Sequence, residues 1–261
     1  MKTSKIITIS ILAGFFVLLI ILSCTLFNLK TIDIEFLAQA SSNEVSTQDE
    51  ISKAGSFKMG SNLLFTNFNQ NIAKIEKECA EIRVVKVVKK FPNKLTVYVV
   101  EREKQVHIEG NDGYHYIFDE YLKITQKSAV EEEYQKYCEI KGFELPENLE
   151  VGGYLTNNNL KVKLASIIDG VYSAGRTPMS IMSSITLSEN ELSQDEFLFK
   201  FKSGAEMKII SNENLCARVS AGIDTYNSIS QVKSASQLKI LKLLVNTGSI
   251  DKVTISYREE W

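Results

Sequence analysis

The hydrophobic and polar positions along the chain show one long uncharged stretch, residues 6–29, between Lys5 and Lys30. Its side chains are mainly those of Ile, Leu, Phe and Val, with a few small polar ones. At about 1.5 Å per residue, a helix of this length measures roughly 36 Å, which is enough to cross a hydrocarbon core of about 30 Å with some tilt. The pattern therefore predicts a transmembrane helix over residues 6–29, preceded by a short tail, residues 1–5.

The charges beside this stretch predict its orientation. Lys2 and Lys5 precede it, whereas Lys30 on the far side is soon followed by Asp33 and Glu35. Because positively charged residues favour the cytoplasmic side of a membrane, we expect a cytoplasmic tail and an extracytoplasmic body, held in the cell membrane by a single span.

Two other interpretations of residues 6–29 stay open. A cleaved signal peptide has an apolar region of about 7–15 residues and small residues at the cleavage site, whereas this stretch is longer and no A-x-A pattern follows it. The sequence Ile21-Leu22-Ser23-Cys24 resembles a bacterial lipoprotein box, in which Cys24 would carry the lipid. A retained helix and a lipid on Cys24 would both hold the body of the chain outside the cytoplasm.

The segment after the uncharged stretch predicts a strand followed by two helices. Residues 31–36 alternate polar and apolar side chains, as a half-buried strand does. Thr47 and Glu50 have the spacing of a capping box, which predicts a short helix that ends at Gly55. Apolar residues at helical spacing then predict a second helix over residues 68–79.

Two β-rich segments complete this first unit. Residues 82–88 and 95–101 are joined by a turn at residues 89–94, in which Pro and Asn favour a hairpin. The inner face of these strands is expected to consist of Val85, Val87, Leu95, Val97 and Val99. The first unit therefore has the predicted order strand, helix, helix, strand, strand, with both helices on one face of a three-stranded sheet.

The remainder of the chain, residues 103–261, shows the pattern of a larger mixed β-domain with flanking helices. Strands are predicted at residues 106–108, 114–118, 197–201, 207–210 and 253–257. Helices are predicted at residues 160–171, 215–226 and 234–246. Together the two units indicate an α+β fold class.

Charge and cysteine usage argue against several classes of protein. The net charge is −2 and no basic stripe occurs, so nucleic acid is not an expected partner. Cys79, Cys138 and Cys216 are widely spaced without a CxxC pair, which supports neither a zinc site nor a disulfide framework. We expect them to be small buried thiols.

The candidates for metal binding are His107 with Glu109, and His115 with Asp112 and Asp119. No HExxH motif is present and the chain has two histidines, so we interpret these side chains as solvated turn residues. No nucleophile elbow, phosphate-binding loop or dinucleotide fingerprint occurs either. We therefore expect no enzymatic activity, no catalytic residue, no cofactor, no metal and no small-molecule substrate.

Short motifs follow one another in the first unit, behind one N-terminal anchor. They are Ile51 with Gly55, then Gly60-x-Asn62-Leu63, then Phe91-Pro92-Asn93-x-Leu95-x-Val97, and finally Glu101-Arg102. In this order and spacing they resemble the FtsQ/DivIB family of bacterial cell-division proteins. The resemblance implies a POTRA domain at residues 31–102, although Cys79-Ala80-Glu81 stands where the family often has Pro and Trp.

Looser matches continue the resemblance into residues 103–261. They are Phe118-Asp119, Lys141-Gly142, Ser203-Gly204, Arg218-Val219 and Gly248-Ser249-Ile250-Asp251. They imply that this part of the chain is the β-domain of the FtsQ/DivIB family.

The terminal strand is the candidate binding site. An unpaired strand edge can accept a strand from a partner, and the strand at residues 252–258 is the expected edge, with an interior strand as the alternative. The resemblance implies that this end of the β-domain receives a strand from an FtsB/DivIC-like protein, which comes with a membrane-anchored FtsL-like protein. The predicted partner-binding residues are Val253, Thr254, Ile255, Ser256 and Tyr257.

These expectations combine into a first hypothesis: a membrane-anchored scaffold of the division machinery, or divisome, that acts at the septum. The resemblance also implies that the POTRA domain helps to recruit the protein there. Two other hypotheses stay open, a POTRA-containing secretion or transport component that handles unfolded chains, and an anchored wall hydrolase or lipoprotein binding module.

Overall fold

The computed structural model describes residues 12–18, 25–38, 46–156, 158–210, 213–245 and 253–257. The chain divides into two compact units, residues 1–102 and residues 103–261. We call them the first and the second unit.

The predicted transmembrane helix falls only partly within the described residues. Residues 12–18 and 25–26 are helical. The predicted features that lie outside the described residues are the tail, residues 1–5, and residues 6–11 and 19–24 of the helix, including Cys24. Across the parts of the chain that the structure describes, no helix combines the length and the apolar character needed to span a bilayer.

The first unit has the element order that its pattern predicts. The elements are β1 Thr31–Phe36, α1 Gln48–Ala54, α2 Asn69–Glu78, β2 Ile82–Lys90 and β3 Lys94–Glu101. Among the described residues they form a three-stranded sheet in the order β1-β3-β2. The central strand β3 runs parallel to β1 and antiparallel to β2.

The capping box at the start of α1 is confirmed. The Thr47 side chain accepts a hydrogen bond from the backbone N–H of Glu50, and the Glu50 carboxylate accepts one from the N–H of Thr47 at 2.7 Å. The helix ends at Gly55, also as predicted, but with a φ of −61° that any residue can adopt. A Cβ atom at Gly55 would lie 2.3 Å from the Phe57 ring, so close packing explains the glycine.

One residue predicted for the inner face of the first sheet is on the wrong side. The pairing of β2 with β3 shifts between Val84 and Lys86, which leaves Val85 as an extra residue in a β-bulge. Val84 and Val87 pack against the core as a result, whereas Val85 is exposed. The predictions for Leu95, Val97 and Val99 are confirmed, since all three are fully buried.

Arg102, at the end of the first unit, joins α2 to β2. Its Nε donates to the carbonyl of Ile82 at 3.0 Å, and its guanidinium lies 3.2 Å from one carboxylate oxygen of Glu76. The other oxygen of Glu76 accepts the N–H of Val84 at 3.0 Å. Arg102 is buried, so the Glu101-Arg102 motif has a structural role at this position.

The second unit is built on one large mixed sheet. Its strands are β4 Lys104–Glu109, β5 His115–Asp119, β6 Ile124–Ser128, β7 Cys138–Lys141, β8 Met182–Glu189, β9 Asp195–Phe201, β10 Glu206–Ile210, β11 Leu241–Val245 and β12 Val253–Tyr257. Its helices are α3 Glu131–Tyr134, α4 Asn158–Ser173, α5 Pro178–Ile181, α6 Leu215–Ser230 and α7 Ala235–Lys239. Within the described residues, nine strands follow the order β12-β11-β10-β9-β8-β7-β4-β5-β6. The hydrophobic pattern did not predict β6, β7 or β8.

The helices α4 and α6 cover one face of this sheet. Their apolar residues share one buried cluster with the inward-facing residues of the strands. Two glycines allow the close approach. A Cβ at Gly170 of α4 would lie 2.6 Å from the carbonyl oxygen of Cys216 in α6, and a Cβ at Gly222 of α6 would lie 2.2 Å from the Met207 sulfur in β10.

The helix predicted over residues 234–246 is wrong in its second half. The helix α7 ends at Lys239, and the chain continues as β11. Leu241, Leu243 and Val245 alternate into the core, and β11 pairs in parallel with β10. The short apolar run suits a strand as well as a helix, and pairing with β10 decides in favour of the strand.

Candidate functional site: an exposed edge strand

The candidate site is β12, which ends the strand order of the larger sheet among the described residues. It pairs antiparallel with β11, with Ile255 opposite Leu243 and Tyr257 opposite Leu241. The strand predicted over residues 252–258 is thus present, and its two terminal residues lie outside the described part of the chain. Its outer side is the place where a further strand would pair.

The apolar side chains of β12 are only partly covered. Residues directly opposite each other in an antiparallel pair point to the same face, so Ile255 and Tyr257 lie on the face that α4 and α6 cover further in. Ile255 is 45% exposed and Tyr257 is 41% exposed, whereas Leu243 and Leu241 beside them are fully buried. The helix α6 still contacts β12, but two large apolar side chains at this edge stay half-exposed and continue the core surface outward.

The remaining residues of β12 differ in their environment. Val253 packs against the buried cluster of the unit, so it contributes to stability. Thr254 is exposed and Ser256 is half-buried on the opposite face of the strand. Lys233, which follows α6, has its ammonium group 5.5 Å from the centre of the Tyr257 ring. These positions give β12 one apolar side and one polar side.

The polar face of the sheet beside β12 is fixed by ion pairs. Ser256 is opposite Lys242 of β11, which binds the Glu206 carboxylate of β10. On the next row Lys208 contacts Glu196 at 2.8 Å. These two pairs join β9 to β10 and β10 to β11, the strand with which β12 pairs.

The other edge of the sheet, at β6, is covered by its own chain. The N–H of Ile124 donates to the carbonyl of Gly153 at 2.9 Å, and the N–H of Gly152 donates back to Ile124 at 2.8 Å. The side chain of Gln126 donates to Glu133 of α3 at 2.8 Å. Sequence patterns did not indicate this covering segment, because its pairing is non-local and its residues have no β-periodicity. Among the described residues, β12 is therefore the more accessible of the two edges.

The candidate metal ligands are only partly brought together. His107 and His115 meet on the sheet face opposite α4 and α6, with 3.1 Å between their Nδ1 atoms, and the Tyr134 ring stacks on His115. Burial, followed by the proximity of His115, lowers the pKa of His107 to about 4. His107 is thus a neutral buried side chain, and the prediction that it is a solvated turn residue is wrong.

The acidic candidates bind other partners. Asp112 accepts hydrogen bonds from Lys127 at 2.7 Å and from the Tyr116 hydroxyl at 2.8 Å, and these bonds lower its pKa to about 2. Asp119 accepts the backbone N–H groups of Tyr121 and Lys123. No cluster of three or more His, Cys, Asp or Glu side chains suited to a metal occurs among the described residues.

Cys79, Cys138 and Cys216 are free thiols. Cys79 and Cys138 are buried, as predicted, whereas Cys216 is only half-buried. Burial raises the pKa of the Cys138 thiol well above its usual range, which makes it unreactive near neutral pH.

Comparison with known proteins agrees with this architecture. Residues 27–102 match the family of the POTRA domain, FtsQ-type. Residues 27–102 of the first unit are an FtsQ-type POTRA domain. The chain is also similar to the Cell division protein DivIB of Clostridium botulinum (strain Hall), with 27% identity over 122 residues. That match covers 47% of this chain and 44% of the relative, so it spans less than half the length of either protein.

The resemblance to the FtsQ/DivIB family is therefore confirmed. The POTRA domain begins slightly earlier than the pattern predicts. Leu29 is buried in its core, and the backbone of Asn28 bridges to that of Asn62. The last residues of the predicted transmembrane stretch thus pack as part of the first unit.

Proposed function

We propose that this chain is a membrane-anchored scaffold of bacterial cell division that binds partner proteins outside the membrane through β12. The similarity to a cell division protein and the FtsQ-type POTRA domain support a division role. The observation that carries the binding mode is the accessible edge strand with two half-exposed apolar side chains, Ile255 and Tyr257.

The edge strand favours binding over catalysis. A partner strand that pairs with β12 would gain backbone hydrogen bonds, and side chains at alternate positions would give the pairing its specificity. Apolar residues of that strand would cover Ile255 and Tyr257, while polar residues would lie beside Thr254 and Ser256. We propose that the chain has no enzymatic activity of its own.

The proposed partners are an FtsB/DivIC-like protein, which would supply the added strand, and an FtsL-like protein that accompanies it. Both are membrane-anchored, which fits a body that is itself held at the outer surface of the membrane by the predicted anchor, whose last residues, from Phe27 onward, belong to the POTRA domain. The expected location is the division septum, and the POTRA domain would contribute to recruitment there.

Replacing Ile255 by a charged residue tests the binding mode. Ile255→Lys places a cation in the proposed apolar contact. Because only 45% of Ile255 is left for a partner to cover, the lost burial corresponds to about 1 kcal/mol, or a roughly fivefold loss of affinity, and the desolvation of the cation adds to it. The measurement is a titration of the purified chain with the FtsB/DivIC-like partner, both in detergent. Leu192→Lys is the matched control, because Leu192 is exposed in the turn before β9, away from β12.

Unchanged affinity of Ile255→Lys, with the chain still folded, would remove β12 as the binding site. The division role is tested separately by the position of a fluorescent fusion of the full chain in growing cells. We expect it at midcell; an even distribution around the envelope would contradict the proposal and would favour a general transport component.

A further inference from the structure

The end of the POTRA sheet at which β1 begins holds the last residues of the predicted transmembrane stretch. The N–H of Leu63 donates to the carbonyl of Phe27 at 2.8 Å, and the N–H of Gly60 donates to that of Leu29 at 2.9 Å. On the other side the N–H of Lys30 donates to Asn93, in the turn between β2 and β3, at 2.8 Å. The incoming chain is thus fixed between residues 60–63 and the turn at residues 91–93.

Large apolar side chains are exposed around this fixed segment. We call them the N-terminal patch: Leu26, Met59, Leu64, Phe65 and Phe91. Phe65 is 81% exposed. Phe91 is also exposed, and its ring makes an edge-to-face contact with the ring of Phe27, with 5.5 Å between the ring centres. An aromatic ring that is four-fifths exposed contributes little to the stability of the fold. Because exposed apolar patches mark interaction sites, we expect this ring to contact something outside the domain.

Lysines surround the N-terminal patch. Lys30 and Lys58 are exposed beside it. Lys89 at the end of β2 donates to the carbonyl of Thr66 at 2.9 Å. Lys90 and Lys94 flank the turn, where they pair with Glu35 and Asp33 of β1. An apolar and aromatic surface bordered by lysines, two of them paired with carboxylates, has the chemistry of a surface that inserts at a membrane interface.

We propose that the N-terminal patch rests in the interface of the bilayer from which the chain emerges, so that the POTRA domain lies directly against the lipid headgroups. The proposal depends on the proposed membrane anchor. A helix needs about 20 residues to cross a hydrocarbon core of about 30 Å, which from Ile6 is reached near Thr25. Leu26 therefore lies at the headgroup level, and the hydrogen bonds of Phe27 and Leu29 bring Phe65 and Phe91 to the same depth.

Lipid is favoured over another protein as the partner of the N-terminal patch, because the chain between helical residues 25–26 and the POTRA domain is very short. The helical residues 25–26 are followed at once by the hydrogen-bonded Phe27, so within residues 25–38, which the structure describes without a gap, no linker lies between these helical residues and the domain. The bilayer is thus held next to the N-terminal patch by the covalent chain at a high effective concentration. Phe65 and Phe91 would enter the interface, and the exposed Lys30 and Lys58 would contact phosphate groups.

Depth-dependent fluorescence quenching tests this proposal in the full chain. The single tryptophan, Trp261, is first replaced by Phe. Phe65→Trp then puts the probe in the N-terminal patch, and Leu37→Trp puts it just beyond β1 as a matched control. Leu37 is 51% exposed, and the six residues of β1 separate it from the patch by about 20 Å. Both variants are reconstituted into vesicles of phosphatidylcholine and phosphatidylglycerol, with and without bromine on the acyl chains.

Brominated lipid is expected to quench about half or more of the emission of the Phe65→Trp variant, because interfacial side chains enter the headgroup and acyl boundary by about 5–10 Å. Emission from Leu37→Trp should stay unchanged. If both variants float with the vesicles but neither is quenched, or both are quenched equally, the proposal is wrong while the anchor stands. If neither variant floats with the vesicles, the anchor itself is wrong, and the proposal falls with it.

Discussion

His107 is expected to make the second unit less stable as the pH falls below neutral. The side chain is buried on β4, which lies between β5 and β7. The Nδ1 atoms of His107 and His115 are 3.1 Å apart, and the centres of the His107 and Tyr134 rings are 5.0 Å apart. The environment of His107 lowers its pKa. Glu139, opposite His107 in the parallel pairing of β4 with β7, raises this pKa, and Lys141 lowers it. Burial is the largest cause of its lowered pKa.

The direction of the pH dependence of stability is set by whether the folded or the unfolded chain binds the proton more tightly. The pKa of His107 is about 4 in the folded chain and about 6.5 in an unfolded chain. Between these values the unfolded chain holds more protons, so stability is fully present above about pH 6.5 and falls as the pH drops toward 4. Between pH 7 and pH 5 the loss amounts to about 1–2 kcal/mol, the lower figure allowing for partial access of water.

Urea unfolding of the wild type and of His107→Gln, each at pH 7 and pH 5, measures this loss. Circular dichroism at 222 nm reports mainly on the second unit, whose helices α4 and α6 have 16 residues each. Glutamine is uncharged at both pH values, so the variant should lack the contribution of His107 to the pH dependence, whatever its stability at pH 7. If the variant loses as much stability as the wild type between pH 7 and pH 5, His107 is protonated in the folded chain and the reasoning is refuted.

Two further predictions concern packing. Arg102→Ala should destabilise the POTRA domain by about 3–5 kcal/mol in a urea titration, because it removes the buried guanidinium that lies 3.2 Å from the partly buried Glu76 carboxylate. Lys90→Ala, which removes an exposed ion pair, should leave the midpoint of the same titration nearly unchanged. Gly170→Ala should destabilise the second unit by about 1–3 kcal/mol, because the new methyl group meets backbone in α6. The exposed neighbour substitution Asp169→Ala is its control, and equal midpoints in thermal unfolding would contradict the close packing of α4 on α6.

The local parts of the fold could be predicted from the sequence. The capping box of Thr47 with Glu50, the period-two strand β1 and the turn at residues 91–93 depend on neighbours within a few residues. Such patterns specify an element wherever it packs. The order β-α-α-β-β and the strand character of β12 follow from them, and so does the resemblance to the FtsQ/DivIB family.

Tertiary structure decided the features that depend on distant partners. Leu241–Val245 is too short for its apolar pattern to distinguish strand from helix, and parallel pairing with β10 selects the strand. The bulge that exposes Val85 exists only in the pairing of β2 with β3. The contact between His107 and His115 and the covering of β6 by residues 152–153 likewise join residues that no local pattern relates. Short-range periodicity determines which elements form, whereas pairing between segments far apart in the chain determines which edge and which side chains stay exposed.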